Sequence, residues 1–277
     1  MARSSDSQPG VIEVAELREG EVSFCLLGYS PFYCNSVAQK AMRELLLPRG
    51  GRLTPAQKAE NLKHDPDAEF RASPYLRRGV GPTRILMKAT AIKDAIAQAA
   101  IDMPTAVAKT QINRLTYVVG EYIDIWGVPL LDMEVVRLQD MKRTPDIRTR
   151  AKLVRWATRV TIRYQMPMLN AQKVATLLQA SGQICGIGDF RQEKGKGNNG
   201  LYRIVAEDNA DYLAVLAEGG MEAQDAALAS PQFSNPVTED LYHWYHAEIL
   251  RRADERDPRR RTPPRTPPAA ANGEAHA

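Results

Sequence analysis

The sequence predicts an α+β fold on the ferredoxin-like, split βαββαβ plan, and three observations predict it. Alternating apolar residues mark strands, apolar residues at helical spacing mark the helices between them, and the segments follow in the order strand, helix, strand, strand, helix, strand. A sheet of this kind carries helices on one face and leaves the other open, and many nucleic-acid binders use the open face. The fold by itself does not fix a function.

The first strand is Glu21–Tyr29, where Val22, Phe24 and Leu26 share a face. A polar stretch rich in Arg, Pro and Gly follows at 48–83 and reads as a helix with long connections. In Ala91–Met103 the residues Ile92, Ile96, Ala99, Ala100 and Met103 fall at helical spacing, and Pro104 stops the helix. Gly127–Arg137 reads as the second strand of the sheet, with Leu131, Met133 and Val135 alternating. Arg155–Gln165 is the third. It places Trp156, Thr158, Val160, Ile162 and Tyr164 on one face and Arg155, Ala157, Arg159, Thr161 and Arg163 on the other. A helix follows over Ala171–Ser181, capped by Asn170 and ended by Gly182. The last strand is Leu201–Val205, and a helix over about 238–253 carries Leu241, Trp244, Tyr245 and Ile249.

These elements make one domain over 11–256, with a projecting basic hairpin at about 138–152 and a helical C-terminal extension at 206–256. Residues 1–10 read as a disordered lead-in. From Asp257 the chain is Pro- and Arg-rich with no apolar residue larger than alanine, so 257–277 cannot offset its ordering entropy and is expected to be disordered.

Hydrophobic residues make up 44% of the 277 residues and charged residues 25%, which is ordinary for a chain that buries a core. The three cysteines, Cys25, Cys34 and Cys185, are odd in number and irregularly spaced, and no CxxC pair suggests a thiolate zinc site. The N-terminus is polar, without the apolar stretch of a signal peptide, and no run approaches the roughly 20 apolar residues that span a bilayer. A cytoplasmic protein with no membrane contact is therefore expected.

The net charge of +4 hides local clustering. Between Arg137 and Arg163 nine basic residues stand against two acids, Asp140 and Asp146, a local charge of +7. The guanidinium fork suits phosphate oxygens, and each phosphate neutralised releases condensed counterions. A solvated, salt-bridged surface is the competing reading, and the scarcity of neighbouring acids in the sequence argues against it. An acidic protein partner is a third.

The second feature is Gly186-Ile-Gly-Asp-Phe-Arg-Gln-Glu-Lys-Gly-Lys-Gly-Asn-Asn-Gly200, with five glycines and the cations Arg191, Lys194 and Lys196. Such glycines permit positive φ and let backbone amides approach an anion. No Gly-Lys-Ser/Thr is present, so it is not a Walker loop, and it joins a helix to a strand, the reverse of a dinucleotide fingerprint. Taken alone it reads equally as a long hairpin loop. Phe190 stands among charged residues, where an aromatic ring suits base stacking; Tyr29, Trp126, Tyr164 and Tyr202 are better explained by core packing.

Catalytic constellations are poor. His243 and His246 are spaced for one helix face but lack a ligand cluster, and Asp132 and Glu134 share a strand face without a third carboxylate. No catalytic residue, metal ligand or cofactor is assigned, and the chain reads as non-enzymatic.

The string Gly186–Arg203, following the strand Trp156–Tyr164 and the helix 171–181, resembles the glycine-rich C-terminal signature of RAMP proteins. These include CRISPR effector backbone subunits and similar proteins encoded by bacteriophages. Ile85–Ala100 is similar to that family's stretch leading into its first helix. The resemblance covers about residues 20–205. It implies an RRM-like fold, sequence-independent binding of a single strand, a thumb-like hairpin supplied by 138–152, and a homo-oligomer or helical filament along the strand. Asn199-Gly-Leu-Tyr-Arg203 departs from the family's Gly-Arg or Gly-Tyr-Gly-Arg, the extension 206–256 has no counterpart, and no repeat-RNA cleavage histidine is evident. Phage-type relatives are the closer comparison. They imply single-stranded DNA binding, annealing or recombination in the host cytoplasm.

The expected nucleic-acid contacts are Lys142, Arg143, Arg148, Arg150, Lys152, Arg155, Arg159 and Arg163 in the basic segment. The loop and its following strand add Gly186, Gly188, Phe190, Arg191, Lys194, Gly195, Lys196, Gly197 and Arg203. DNA and RNA are equally open as partners. A guide-RNA-binding subunit of a CRISPR-like complex and an interaction subunit with an acidic protein partner are the alternatives.

Overall fold

The computed structural model describes residues 16–36, 64–104, 107–137, 144–194 and 197–256. The expected disorder of 1–10 and 257–277 lies outside these residues. So do Lys142, Arg143, Gly195, Lys196 and the side chain of Lys194.

In chain order the strands are β1 (Arg18–Gly28), β2 (Phe32–Tyr33), β3 (Tyr75–Leu76), β4 (Ile85–Lys88), β5 (Thr116–Val118), β6 (Tyr122–Trp126), β7 (Pro129–Arg137), β8 (Pro145–Leu153), β9 (Ala157–Met166) and β10 (Tyr202–Val205). The helices are α1 (Pro66–Ala72), α2 (Ala89–Asp102), α3 (Lys109–Leu115), α4 (Ala171–Ile184), α5 (Ala210–Glu218), α6 (Met221–Ala229) and α7 (Pro236–Arg256). The fold is α+β with antiparallel sheets. The larger sheet has the order β10-β1-β9-β6-β4-β3, with β5 also paired to β9, and the smaller has the order β2-β8-β7.

Local chemistry accounts for the elements. Asp65 accepts from Ala68 N at 3.0 Å and Pro66 opens α1. Asn170 accepts from Lys173 N at 2.8 Å to cap α4, and Asn209 accepts from Tyr212 N at 3.0 Å to cap α5. The alternation along β1 and β9 turns Leu26, Val160 and Ile162 inward, where they share one core with Ile92 and Ile96 of α2 and Val174 and Leu178 of α4. Full burial of such side chains contributes about 1.5–3 kcal/mol each. Trp156 has no exposed surface, lies between Phe32 and Tyr202, and donates its indole proton to Ser30 O at 2.8 Å.

Four expectations are corrected. The segment 127–137 does not enter the main sheet. It becomes β7, pairs with β8, and drifts outward until Val135 is 72% exposed. The place beside β9 is taken by β5 and β6, because Gly120 (φ 91°) and Gly127 (φ 137°) turn the chain before β6 and before β7. The strand 155–165 begins at Ala157, so Arg155 lies in the bend before it rather than on its face. Gly182 does not end α4. It sits within the helix because a Cβ there would stand 2.2 Å from Tyr202 O, and the turn comes instead at Gly186 (φ 69°), whose N–H donates to Ser181 O.

The outer face of the larger sheet is not wholly open either. Cys25, Leu27 and Ala157 pack beneath Tyr212 and Val215 of α5, a second small apolar cluster. Among the described residues no helix is long and apolar enough to cross a membrane.

Candidate nucleic-acid interface

The acids missing from the neighbourhood of the basic segment in the sequence are supplied in space. β1 runs beside β9 with Glu21 opposite Arg163, and Arg163 Nε lies 2.6 Å from Glu21 and 3.6 Å from Glu19. The hydrogen bond from Arg163 to Glu21 holds the guanidinium even more firmly protonated than usual. Arg159 pairs with Glu207 at 2.7 Å and Arg155 with Glu218 at 2.9 Å. All three pairs are exposed, and each neutralises a cation that sequence reasoning leaves unpaired.

The hairpin β7–β8 divides its cations. Arg137 and Arg148 face solvent and make no ion pair among the described residues. Arg150 is 5% exposed, donates to Asp189 through Nη1 and to Glu134 through Nη2 at 3.4 Å, and lies against the Tyr33 ring. Lys152 approaches Asp132 at 3.6 Å across the same ring. Burial first, then the adjacent Asp132 and Glu134 carboxylates, keep the Tyr33 phenol protonated. Its one proton is therefore available to both acids, each 3.1 Å away. Asp132 also accepts from Ser234 and Asn235. Arg150 and Lys152 thus belong to an internal network. A charged group leaves such a network only at a large desolvation and pairing cost, so neither stands as a free cation on the surface.

The described residues of the glycine loop are tied to one another and to the chain around Pro31 and Tyr33 by backbone hydrogen bonds. Ile187 N–H donates to Gly200 O at 3.0 Å, Gly200 N–H to Pro31 O at 2.7 Å and Asp189 N–H to Tyr33 O at 3.1 Å. Gly186, Gly188 and Gly200 have positive φ, and a Cβ on Gly200 would stand 1.7 Å from Ile187 O, so other residues are excluded there. Gly197 packs equally closely on Phe190 O. Phe190 is 51% exposed with φ of 50°, and Arg191 pairs with Glu193 at 2.6 Å. Burial pushes the nearby Cys185 thiol up to about 11, with Asp102 and Glu193 adding to the effect. Arg203 is exposed on β10 opposite Leu27 and, among the described residues, has no ion pair.

The loop forms one wall of a groove of about 540 Å³ that sequence reasoning missed. Gly188 and Arg191 face the start of α2, which contributes Lys88, Thr90, Lys93 and Asp94, with Tyr75, Asn35 and Asn113 completing the polar rim. Phe32, Leu86 and Met87 give it an apolar floor. Its lining carries three cations, Lys88, Lys93 and Arg191, against one acid, Asp94. Lys88 Nζ lies 5.5 Å from the Tyr75 ring centroid and is otherwise exposed. It occupies the N-cap of α2 without a capping side chain. A lysine is electrostatically unfavourable at a helix N-terminus, and that was the available sequence signal.

Of the other titratable clusters, His64 contacts Glu69 at 2.8 Å and Asp146 at 2.9 Å, and His246 lies 3.0 Å from Asp67. These contacts tie α1, β8 and α7 together. Among the described residues no group of three or more His, Cys, Asp or Glu is placed to hold a metal ion. On α7, Val237, Trp244 and Leu250 are exposed.

No protein-family model matches the chain, and no curated protein matches its sequence.

Proposed function

We propose that the chain binds the backbone of a single-stranded nucleic acid without reading its sequence, and that it assembles in several copies along the strand. The groove carries this reading: Gly188 and Arg191 of the glycine loop and the start of α2 present three cations against one acid over an apolar floor, with the exposed Phe190 next to Arg191 in the chain. Its volume falls within the range of ligand sites. Cations on a rim and rings on which any base stacks are the two requirements of sequence-independent single-strand binding.

The finer fold reading belongs to the same proposal. The order β10-β1-β9-β5/β6, with α2 preceding β5 and α4 preceding β10, supports a ferredoxin-like, RRM-like plan. The similarity of Gly186–Arg203 to the RAMP signature supports backbone binding, with a phage-type role in annealing or recombination. A guide-RNA-binding subunit remains the variant in which RNA co-purifies at defined length. The exposed Val237, Trp244 and Leu250 favour, as a second reading, a surface for a protein partner. A defined oligomer indifferent to oligonucleotide supports that second reading.

The test is the affinity for oligothymidine and oligouridine as salt rises. Binding is expected to weaken steeply, with Lys88→Ala and Lys93→Ala each lowering affinity alike for every sequence, since phosphate contacts carry no base information. The mass of the complex grows with strand length. A flat salt dependence, or no binding at low ionic strength, overturns the proposal.

A further inference from the structure

We infer that the pair formed by buried Arg150 and half-buried Asp189 is a clamp that presents the Phe190 ring to a base of the bound strand, an inference that rests on the reading above. Arg150 comes from the hairpin and Asp189 from the glycine loop, 39 residues apart, and the guanidinium of the one donates to the carboxylate of the other. Asp189 is also held by its backbone, whose N–H donates to Tyr33 O at 3.1 Å. On its N-terminal side Gly188 (φ 84°) lies so close to Phe32 and Tyr33 that a Cβ would stand 2.8 Å from each. Residue 189 is therefore fixed through side chain, backbone and neighbour.

The next residue is the strained one. Phe190 has φ of 50°, the left-handed region that costs a non-glycine residue energy, and no other described non-glycine residue shares a positive φ. The residue is 51% exposed. Neither the backbone nor the ring serves the core, and glycine would suit the backbone better. Strain of this kind persists where surrounding contacts over-determine it, and an observed outlier points to a functional demand. Gly188 and Arg191, on either side of Asp189 and Phe190 in the chain, both line the groove, so Phe190 belongs to the loop that forms this wall. Arg191 is steadied there by Glu193 at 2.6 Å and by its own hydrogen bond to Gly188 O at 3.2 Å. Arg150 acts here through Asp189 and is a positioning residue.

Phe190→Ala, Phe190→Gly, Phe190→Trp, Asp189→Asn and the double variant Asp189→Asn/Phe190→Ala are compared with the parent chain. Oligothymidine affinity is measured at several salt concentrations, and thermal unfolding is followed in parallel. Phe190→Ala is expected to weaken binding roughly tenfold, in line with loss of one stacked base. The salt slope stays unchanged because no cation is lost. Phe190→Trp retains affinity. Phe190→Gly also weakens binding while leaving the melting temperature equal or higher, which separates lost stacking from lost folding. Asp189→Asn weakens binding by a similar factor and adds little to Phe190→Ala. If Phe190→Ala and Phe190→Gly bind like the parent while the parent's salt dependence persists, the stacking inference falls and backbone binding stands. If Asp189→Asn and Phe190→Ala add fully, the clamp is refuted and stacking survives. If the parent shows no salt-dependent binding, the underlying reading fails and the inference with it.

Discussion

Gln224 has no exposed surface, and its amide joins three parts of the chain. Its Oε1 accepts from Arg84 N at 2.7 Å and Ile85 N at 2.8 Å, where β4 begins. Its Nε2 donates to Ile125 O, Gly127 O and Gly219 O within 3.0 Å, at the end of β6 and the turn after α5. Gly219 O keeps a second donor in Gly127 N at 3.0 Å, but each of the other buried groups left unpaired costs about 1–3 kcal/mol. Gln224→Leu is thus expected to lower stability by about 3 kcal/mol or more, among the larger effects of single substitutions. Urea denaturation checks this; a shift in midpoint with the slope preserved is the expected pattern. A loss under about 1 kcal/mol would mean that water replaces the amide. Nothing in the sequence singles out Gln224, because its partners lie up to 140 residues away.

At the scale of elements, what was legible follows from periodicity. The core face of β9 was read correctly because Thr158, Val160, Ile162 and Tyr164 alternate, and the start of α4 because its cap and apolar face are both local. The strand beside β9 was missed because it is broken into β5 and β6, three and five residues long, which gives neither a full period nor a clear boundary. The charge of the basic segment was misjudged for a different reason. Glu21, Glu207 and Glu218 lie 142, 48 and 63 residues from the arginines they meet, so only the pairing of β1 with β9 and the packing of α5 bring them together. The groove was invisible for the same reason, since its walls come from separate segments. A consequence is testable. Exposed ion pairs contribute about 0–1 kcal/mol each, so Arg155→Ala, Arg159→Ala and Arg163→Ala combined should change stability little. They should also reduce oligonucleotide affinity less than Lys88→Ala with Lys93→Ala. An equal or larger loss from the three arginines would return the interface to the face of β9.

For the whole molecule the question is how many cations a strand of phosphates meets. The chain holds 37 Lys and Arg against 33 Asp and Glu, so the average field is weak and arrangement decides the outcome. For single strands the slope of log affinity against log salt is about 0.7 per phosphate neutralised. If the local excess of seven in 137–163 acted as a free patch, the slope would approach about 5. The ion pairs of Arg150, Arg155, Arg159 and Arg163 remove most of that excess, because each must surrender a carboxylate before it takes a phosphate. Arg191 of the groove is likewise held by Glu193, so the groove cations Lys88 and Lys93, which make no ion pair among the described residues, give a slope of about 1.4. Measured on an oligothymidine short enough for one copy, a slope of about 1.4 is expected. Lys88→Ala should lower it by about 0.7, and the strand-arginine variant should leave it nearly unchanged. A slope near 5 would mean that the strand displaces the internal carboxylates, and the arginine face, not the groove, would then be the principal contact.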